Sequence, residues 1–98
     1  SLTLVVEALA GATEPGGDLL LMVKPQFEVG VHNLSRTGVV TSEQARADAV
    51  RRVTDRAGDV GLDVLATAPS PLPGQDGNVE FFVRCRRPRT AGGVGVLA

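Results

Sequence analysis

Two residues of opposite charge stand where side-chain chemistry is most readily built. Lys24 is the only lysine, against nine arginines, and it closes the apolar run Leu19 to Val23. Pro25 follows it, has no N–H to give a sheet and holds Lys24 extended, so a strand ends there. The carboxyl ends of strands in open α/β sheets form the rim where ligands bind. A lysine so placed can position or take up a proton; its ordinary alternative is to reach for water, its stem covering apolar surface. Glu80 opens the alternating segment Asn78 to Arg86, which puts it at a strand end as well. His32 is the only histidine and has no companion at metal-ligand spacing, so it reads as a solvated loop residue. Arg36 shares that loop and is a weak candidate for a phosphate contact. Cys85, on the apolar side of its segment, reads as a small core residue.

The elements that must position Lys24 and Glu80 follow from periodicity. Leu2, Val5, Val6, Leu9, Ala10 and Thr13 share one helical face, which predicts a helix over Leu2–Thr13. Pro15-Gly16-Gly17 ends it and leads into the strand Asp18 to Lys24. Five consecutive apolar residues predict a strand buried on both faces. Glu28 to Val40 is polar and punctuated by glycine, a loop. Thr41 and Gln44 carry a capping-box pattern that opens a second helix. Its apolar side is Ala45, Ala49, Val50, Val53, Ala57 and Val60, its other side predicts the ion pairs Asp48–Arg52 and Arg51–Asp55, and Gly61 is its stop.

Leu62 to Ala68 is a second strand, parallel to the first because a helical crossover joins them. A stiff loop, Pro69 to Gly77, lies at its carboxyl end. The third strand, Asn78 to Arg86, must therefore run back antiparallel. Inserted between the two parallel strands, it makes Glu80 a lateral neighbour of Lys24. The expected fold class is α/β, with two parallel strands, one antiparallel strand between them and two main helices. A buried first strand needs neighbours on both sides, so the sequence reads as the back part of a larger α/β domain.

Composition sets the outer bounds. Ninety-eight residues make at most one domain, and a chain of this size buries roughly 60–68% of its unfolded surface. A net charge of −1 gives no bulk attraction to nucleic acid. One cysteine precludes an internal disulfide and suits a reducing compartment. No run approaches the ~20 apolar residues of a membrane span, and Ser1 to Ala10 lacks a basic leader. The expected location is the cytoplasm, with no membrane partner.

Four strings carry a family resemblance: Lys24-Pro25-Gln26-Phe27-Glu28-Val29-Gly30, Gly38-Val39-Val40, Ser70-Pro71-Leu72-Pro73-Gly74 and Gly77-Asn78-Val79-Glu80-Phe81-Phe82. In order and spacing they resemble the TlyA-type, or hemolysin A, group of FtsJ-like rRNA 2′-O-ribose (cytidine) methyltransferases. The likeness runs over residues 1–86, which read as the C-terminal part of the catalytic domain, with 87–98 a frayed tail. It implies a Rossmann-like sheet of seven strands whose last is antiparallel, this chain supplying the fifth to seventh. It implies S-adenosylmethionine as cofactor and rRNA or a ribosomal subunit as partner. It also implies a Lys-Asp-Lys-Glu tetrad in which Lys24 is the second lysine and Glu80 the glutamate. The other two members, the glycine-rich cofactor loop and an S4-like RNA-binding domain would precede Ser1. Val31 to Thr37 departs from the family pattern, so no RNA contact is assigned there.

The chemistry explains the residue types. A ribose 2′-hydroxyl is a poor nucleophile until a base takes its proton. An ordinary lysine, pKa about 10.4, is protonated at neutral pH, and burial beside another cation lowers such a group toward ~7–8. A glutamate beside it favours the charged amine and so orients it. The leading expectation is an S-adenosylmethionine-dependent RNA 2′-O-methyltransferase with Lys24 and Glu80 as catalytic residues, this segment being inactive alone and self-associating through its exposed first strand. The alternatives are a non-catalytic RNA- or partner-binding fragment, or a membrane-active hemolysin-like protein. A glycine-rich loop encoded upstream of Ser1 would discriminate the first from the others.

Overall fold

Leu19, Leu21 and Val23 alternate with Asp18, Leu20 and Met22, and the fold uses that period of two. The computed structural model describes residues 1–30, 32 and 34–89. Its strands are β1 (Asp18–Val23), β2 (Asp63–Pro69) and β3 (Phe81–Arg86). Its α-helices are α1 (Val6–Ala12), α2 (Pro25–Glu28) and α3 (Glu43–Asp59). The sheet order is β1-β3-β2, with β3 antiparallel to both neighbours, so β1 and β2 point the same way. This is the strand order and direction that the sequence predicts.

One face of the sheet is covered. Leu19, Leu21, Val23, Val83 and Cys85 meet Ala49, Val53 and Ala57 of α3 and Val6 and Ala10 of α1 in a single core. The buried residues of α3, Ala45, Ala49, Val53 and Ala57, recur every fourth position. Small side chains at that spacing let the helix axis lie close to the sheet. Cys85 is fully buried among them, and desolvation pushes its thiol pKa up. The other face of β1 is open: Leu20 is 67% exposed and Met22 41%. The expectation of a strand buried on both faces is therefore corrected. Helices α1 and α3, before and after β1 in the chain, supply one layer only, and five consecutive apolar residues cannot tell one covered face from two. β2 is exposed along its whole length, as befits an outer strand.

Helix ends differ from expectation in instructive ways. Ser42, not Thr41, caps α3: its Oγ accepts from the Ala45 N–H at 3.1 Å. Gln44 instead donates to Asp48 at 2.9 Å. At the other end Gly61 adopts φ +90°, the Gly61 N–H meets the Gly58 carbonyl and the Leu62 N–H meets that of Ala57, each at 3.0 Å. This Schellman pattern turns Leu62 into the core. The two expected ion pairs of α3 do not form; Arg51 pairs with Asp48 at 2.7 Å and Arg52 donates to the Glu28 carbonyl. The first helix is also shorter than expected. Leu2–Leu4 is a 3₁₀ turn and Val5, at φ −114°, separates it from α1. Glu28 holds that turn by accepting from the Leu2 N–H at 2.8 Å and from Ser1 Oγ.

The end of β3 is anchored. The Arg87 N–H donates to the Gly17 carbonyl at 2.9 Å, and the Arg87 guanidinium to the Thr13 carbonyl at 2.6 Å. Of the tail expected at 87–98, residues 90–98 lie outside the described residues. Beside this end, Arg86 Nε and Arg84 Nη2 each reach Asp18 at 2.8 Å. The hydrogen bonds from Arg86, then Arg84, lower the Asp18 pKa to about 2.

Candidate active site

The opposite end of the sheet carries the candidate chemistry. Pro25 occupies the first turn of α2, and Lys24 is its N-cap with extended φ −107° and ψ 100°. A proline there is pre-shaped for the helix and has no N–H to orphan. The last β1–β3 pair is Val23 with Phe81. One step further along both strands stand Lys24 and Glu80, so the backbone places the two predicted residues side by side on one rim.

Their side chains go separate ways. The Lys24 ammonium lies over the Phe27 ring, 5.9 Å from its centroid. At a partly exposed site such a contact is worth about 0.5–1 kcal/mol. Around it Val5, Met22, Phe27 and Glu28 help line a depression of about 300 Å³. Glu80 is only 5% exposed, and its Oε2 accepts from Gln26 Nε2 at 3.0 Å. The ion pairs among the described residues are Arg51–Asp48, Arg56–Glu7, Arg84–Asp18 and Arg86–Asp18, so a direct Lys24–Glu80 contact is not among them. The sequence reading brings these two residues to one edge and misses the residue that holds one of them, Gln26.

The loop that delivers Glu80 is fixed from several sides. The Ser70 N–H donates to the Glu80 carbonyl at 2.7 Å, and the Gly74 N–H to the Asn78 carbonyl at 2.8 Å. Gly74 packs on the Glu80 carboxyl so closely that a Cβ there would overlap it. Asp76 and Gly77 turn the chain with φ of 57° and 82°. Asn78, fully buried, knits this turn to the polar loop before α3. Its Oδ1 accepts from the Val40 N–H at 2.9 Å, and its Nδ2 donates to the carbonyls of Gly38 at 3.1 Å and Gln75 at 3.0 Å. Gly74 and Asn78 both lie within the strings that carry the family resemblance.

His32 is exposed and Arg36 lies on an exposed stretch of the loop, away from these contacts. Among the described residues no group of three or more His, Cys, Asp or Glu side chains could hold a metal ion. No described helix is long and apolar enough to cross a membrane. A roomier depression, about 570 Å³, lies at the far end between α1, the end of α3 and Arg87. It is remote from Lys24 and Glu80 in the fold.

Comparison with known proteins agrees with this architecture. The FtsJ-like methyltransferase family description matches residues 1–87. The 16S/23S rRNA (cytidine-2′-O)-methyltransferase TlyA of Mycobacterium tuberculosis is 43% identical over 86 residues, 88% of this chain and 32% of that protein. YqxC of Bacillus subtilis, a candidate rRNA methyltransferase, is 33% identical over 88 residues, 90% of this chain and 31% of that protein. The chain thus spans about a third of the length of these curated relatives. Among solved structures, a candidate hemolysin from Lactococcus lactis superposes with a TM-score of 0.86 at 30% identity, covering 93% of this chain and 43% of that one. One from Streptococcus thermophilus gives 0.83 at 34% identity, covering 90% and 32%. On the match that spans residues 1–87, the chain belongs to the FtsJ-like methyltransferase family.

Proposed function

We propose that this chain is the C-terminal part of the catalytic domain of an rRNA 2′-O-ribose methyltransferase that acts on cytidine, with Lys24 and Glu80 serving in a Lys-Asp-Lys-Glu tetrad. The observation that carries the reading is the juxtaposition of Lys24 and Glu80 one step beyond the Val23–Phe81 pair, in a chain 43% identical to an rRNA (cytidine-2′-O)-methyltransferase. In this reading β1, β2 and β3 are the fifth, sixth and seventh strands of a Rossmann-like sheet. The open outer edge of β1 would adjoin the fourth.

The family's methyl donor is S-adenosylmethionine, and the described residues of this chain do not form a cradle for it. Such a cradle needs a glycine-rich turn between a strand and a helix, whereas β1 passes into α2 through Lys24-Pro25. Holding the cofactor therefore falls to the two thirds of the relatives' length that this chain does not match. What this chain contributes is substrate-side chemistry. The Lys24 amine, on an unbranched stem beside an apolar depression, meets the 2′-hydroxyl and either holds or receives its proton. Glu80, fixed on its loop, supplies the carboxylate of the same rim. Positioning of this kind supplies much of the acceleration of an in-line displacement. The protein acts in the cytoplasm, on rRNA or a ribosomal subunit.

The test uses the gene product at its encoded length, ribosomal subunits and tritiated S-adenosylmethionine. The reading expects label on the 2′-oxygen of a cytidine; label on a base, or none under conditions where the mycobacterial relative is active, would contradict it. Two corollaries concern the 98-residue chain by itself. It transfers no methyl group, and detectable turnover would refute that. It also self-associates, because the outer edge of β1 offers Leu19 to Val23 without charge or proline to block pairing. Sedimentation at micromolar concentration as a stable monomer would refute the second.

A further inference from the structure

The buried surroundings of Glu80 contain a residue that no family role covers. Gln26 is 9% exposed, and its amide nitrogen is 3.0 Å from Glu80 Oε2. An amide donates through nitrogen and accepts through oxygen, so a carboxyl oxygen beside it dictates which end faces Glu80. The other end, Gln26 Oε1, is buried and has no partner among the described residues. A buried carbonyl oxygen without a donor is destabilising. A glutamine kept only for packing would be better replaced by an apolar residue of the same length. The Glu80 carboxyl also abuts Gly74, where not even a methyl group fits. Glu80 is thus held by a donor and confined by Gly74, and Pro25, at the first turn of α2, fixes the backbone from which Gln26 reaches it.

We infer that Gln26 is a positioning residue: it locks the Glu80 carboxyl in one orientation at the rim that Glu80 shares with Lys24. The inference rests on the reading of Lys24 and Glu80 as site residues. Charged groups on the surrounding elements include Lys24 and Glu28 at the two ends of α2, Glu43, Arg46 and Arg52 on α3, and Asp76 on the loop before β3. None of them is altered by a change at Gln26.

The experiment compares the encoded-length protein with Gln26→Met, which removes the donor, and Gln26→Glu, which keeps the shape but sets a second carboxyl against the first. The carbon-13 resonance of the Glu80 carboxyl at neutral pH reports its hydrogen bonding directly. Gln26→Met removes the donor and Gln26→Glu replaces it with an acceptor, so both variants should move that resonance from its parental position. An unmoved resonance in both variants would overturn the inference. In methyl transfer to ribosomal subunits, Gln26→Met should lower kcat about 10- to 100-fold with KM for the cofactor unchanged. Gln26→Glu, which also lacks the donor, should be slowed at least as much. If Gln26→Met does not fold, the isosteric Gln26→Glu carries both readouts. Glu80→Ala separates the two levels. Inactive Glu80→Ala beside fully active Gln26 variants would overturn the positioning role alone, and fully active Glu80→Ala would overturn the reading of the site.

Discussion

Asn78→Ala is the substitution whose cost can be followed most directly from the structure to the site. Three hydrogen bonds end on that one side chain: the Val40 N–H at 2.9 Å and the carbonyls of Gly38 and Gln75 at 3.1 and 3.0 Å. Val40 is fully buried, so its N–H has no water to turn to once Oδ1 is gone. An orphaned buried donor costs about 1–3 kcal/mol, and two part-buried carbonyls add less each, roughly 2–4 kcal/mol in all. At 1.36 kcal/mol per factor of ten, amide exchange at Val40 should quicken about 30- to 1000-fold. Hydrogen exchange followed by NMR reads this at the one amide concerned. Asn78→Asp keeps an acceptor for Val40 and should leave that amide protected, although it loses the donor to Gly38 and Gln75. Unchanged protection of Val40 in Asn78→Ala would refute the claim that this side chain joins the two loops behind Glu80.

Three further outcomes are expected. Asp18 has its pKa lowered from 3.8 to about 2 in the folded chain, so its stabilising contribution is complete above its unfolded pKa and is lost as pH falls toward 2. Urea midpoints measured between pH 4 and 2 should fall less steeply in Asp18→Asn, and identical slopes would contradict this. Gly61→Ala should destabilise by about 1 kcal/mol in chemical denaturation, because φ +90° strains any residue with a Cβ, even though the space there is open. Cys85 should react with a thiol reagent only as fast as the protein opens, since its thiol is fully buried with a raised pKa; prompt labelling under native conditions would contradict that.

What was legible in the sequence was direction. A strand stopped by Pro25, a helical crossover and a return loop point to the strand order, and with it the placement of Lys24 and Glu80 at one edge. The α3 stripe of Ala45, Ala49, Val53 and Ala57 was legible for the same reason, because periodicity records which side faces a sheet. What was illegible depends on contacts between distant segments. The 3₁₀ turn before Val5 is tied down by Glu28, which accepts from the Leu2 N–H 26 positions away. The open face of β1 depends on how many layers cover the sheet, which an unbroken apolar run does not encode. Gln26 was hidden in plain view inside Lys24-Pro25-Gln26-Phe27-Glu28. The available signal was a polar residue next to a proline that stops a buried strand, since the turn that follows can carry it back toward the sheet edge.

The central claim is that Lys24 works at the reacting hydroxyl. The most direct measurement is single-turnover methyl transfer by the encoded-length protein and its Lys24→Ala variant, with cofactor affinity measured on the same samples by calorimetry. Removing a group that handles the 2′-hydroxyl proton should lower the rate by about 10²- to 10⁴-fold, while cofactor affinity stays as in the parent. A Lys24→Ala variant that transfers methyl groups at the parental rate, or one whose loss of activity is matched by loss of cofactor binding, would contradict the account.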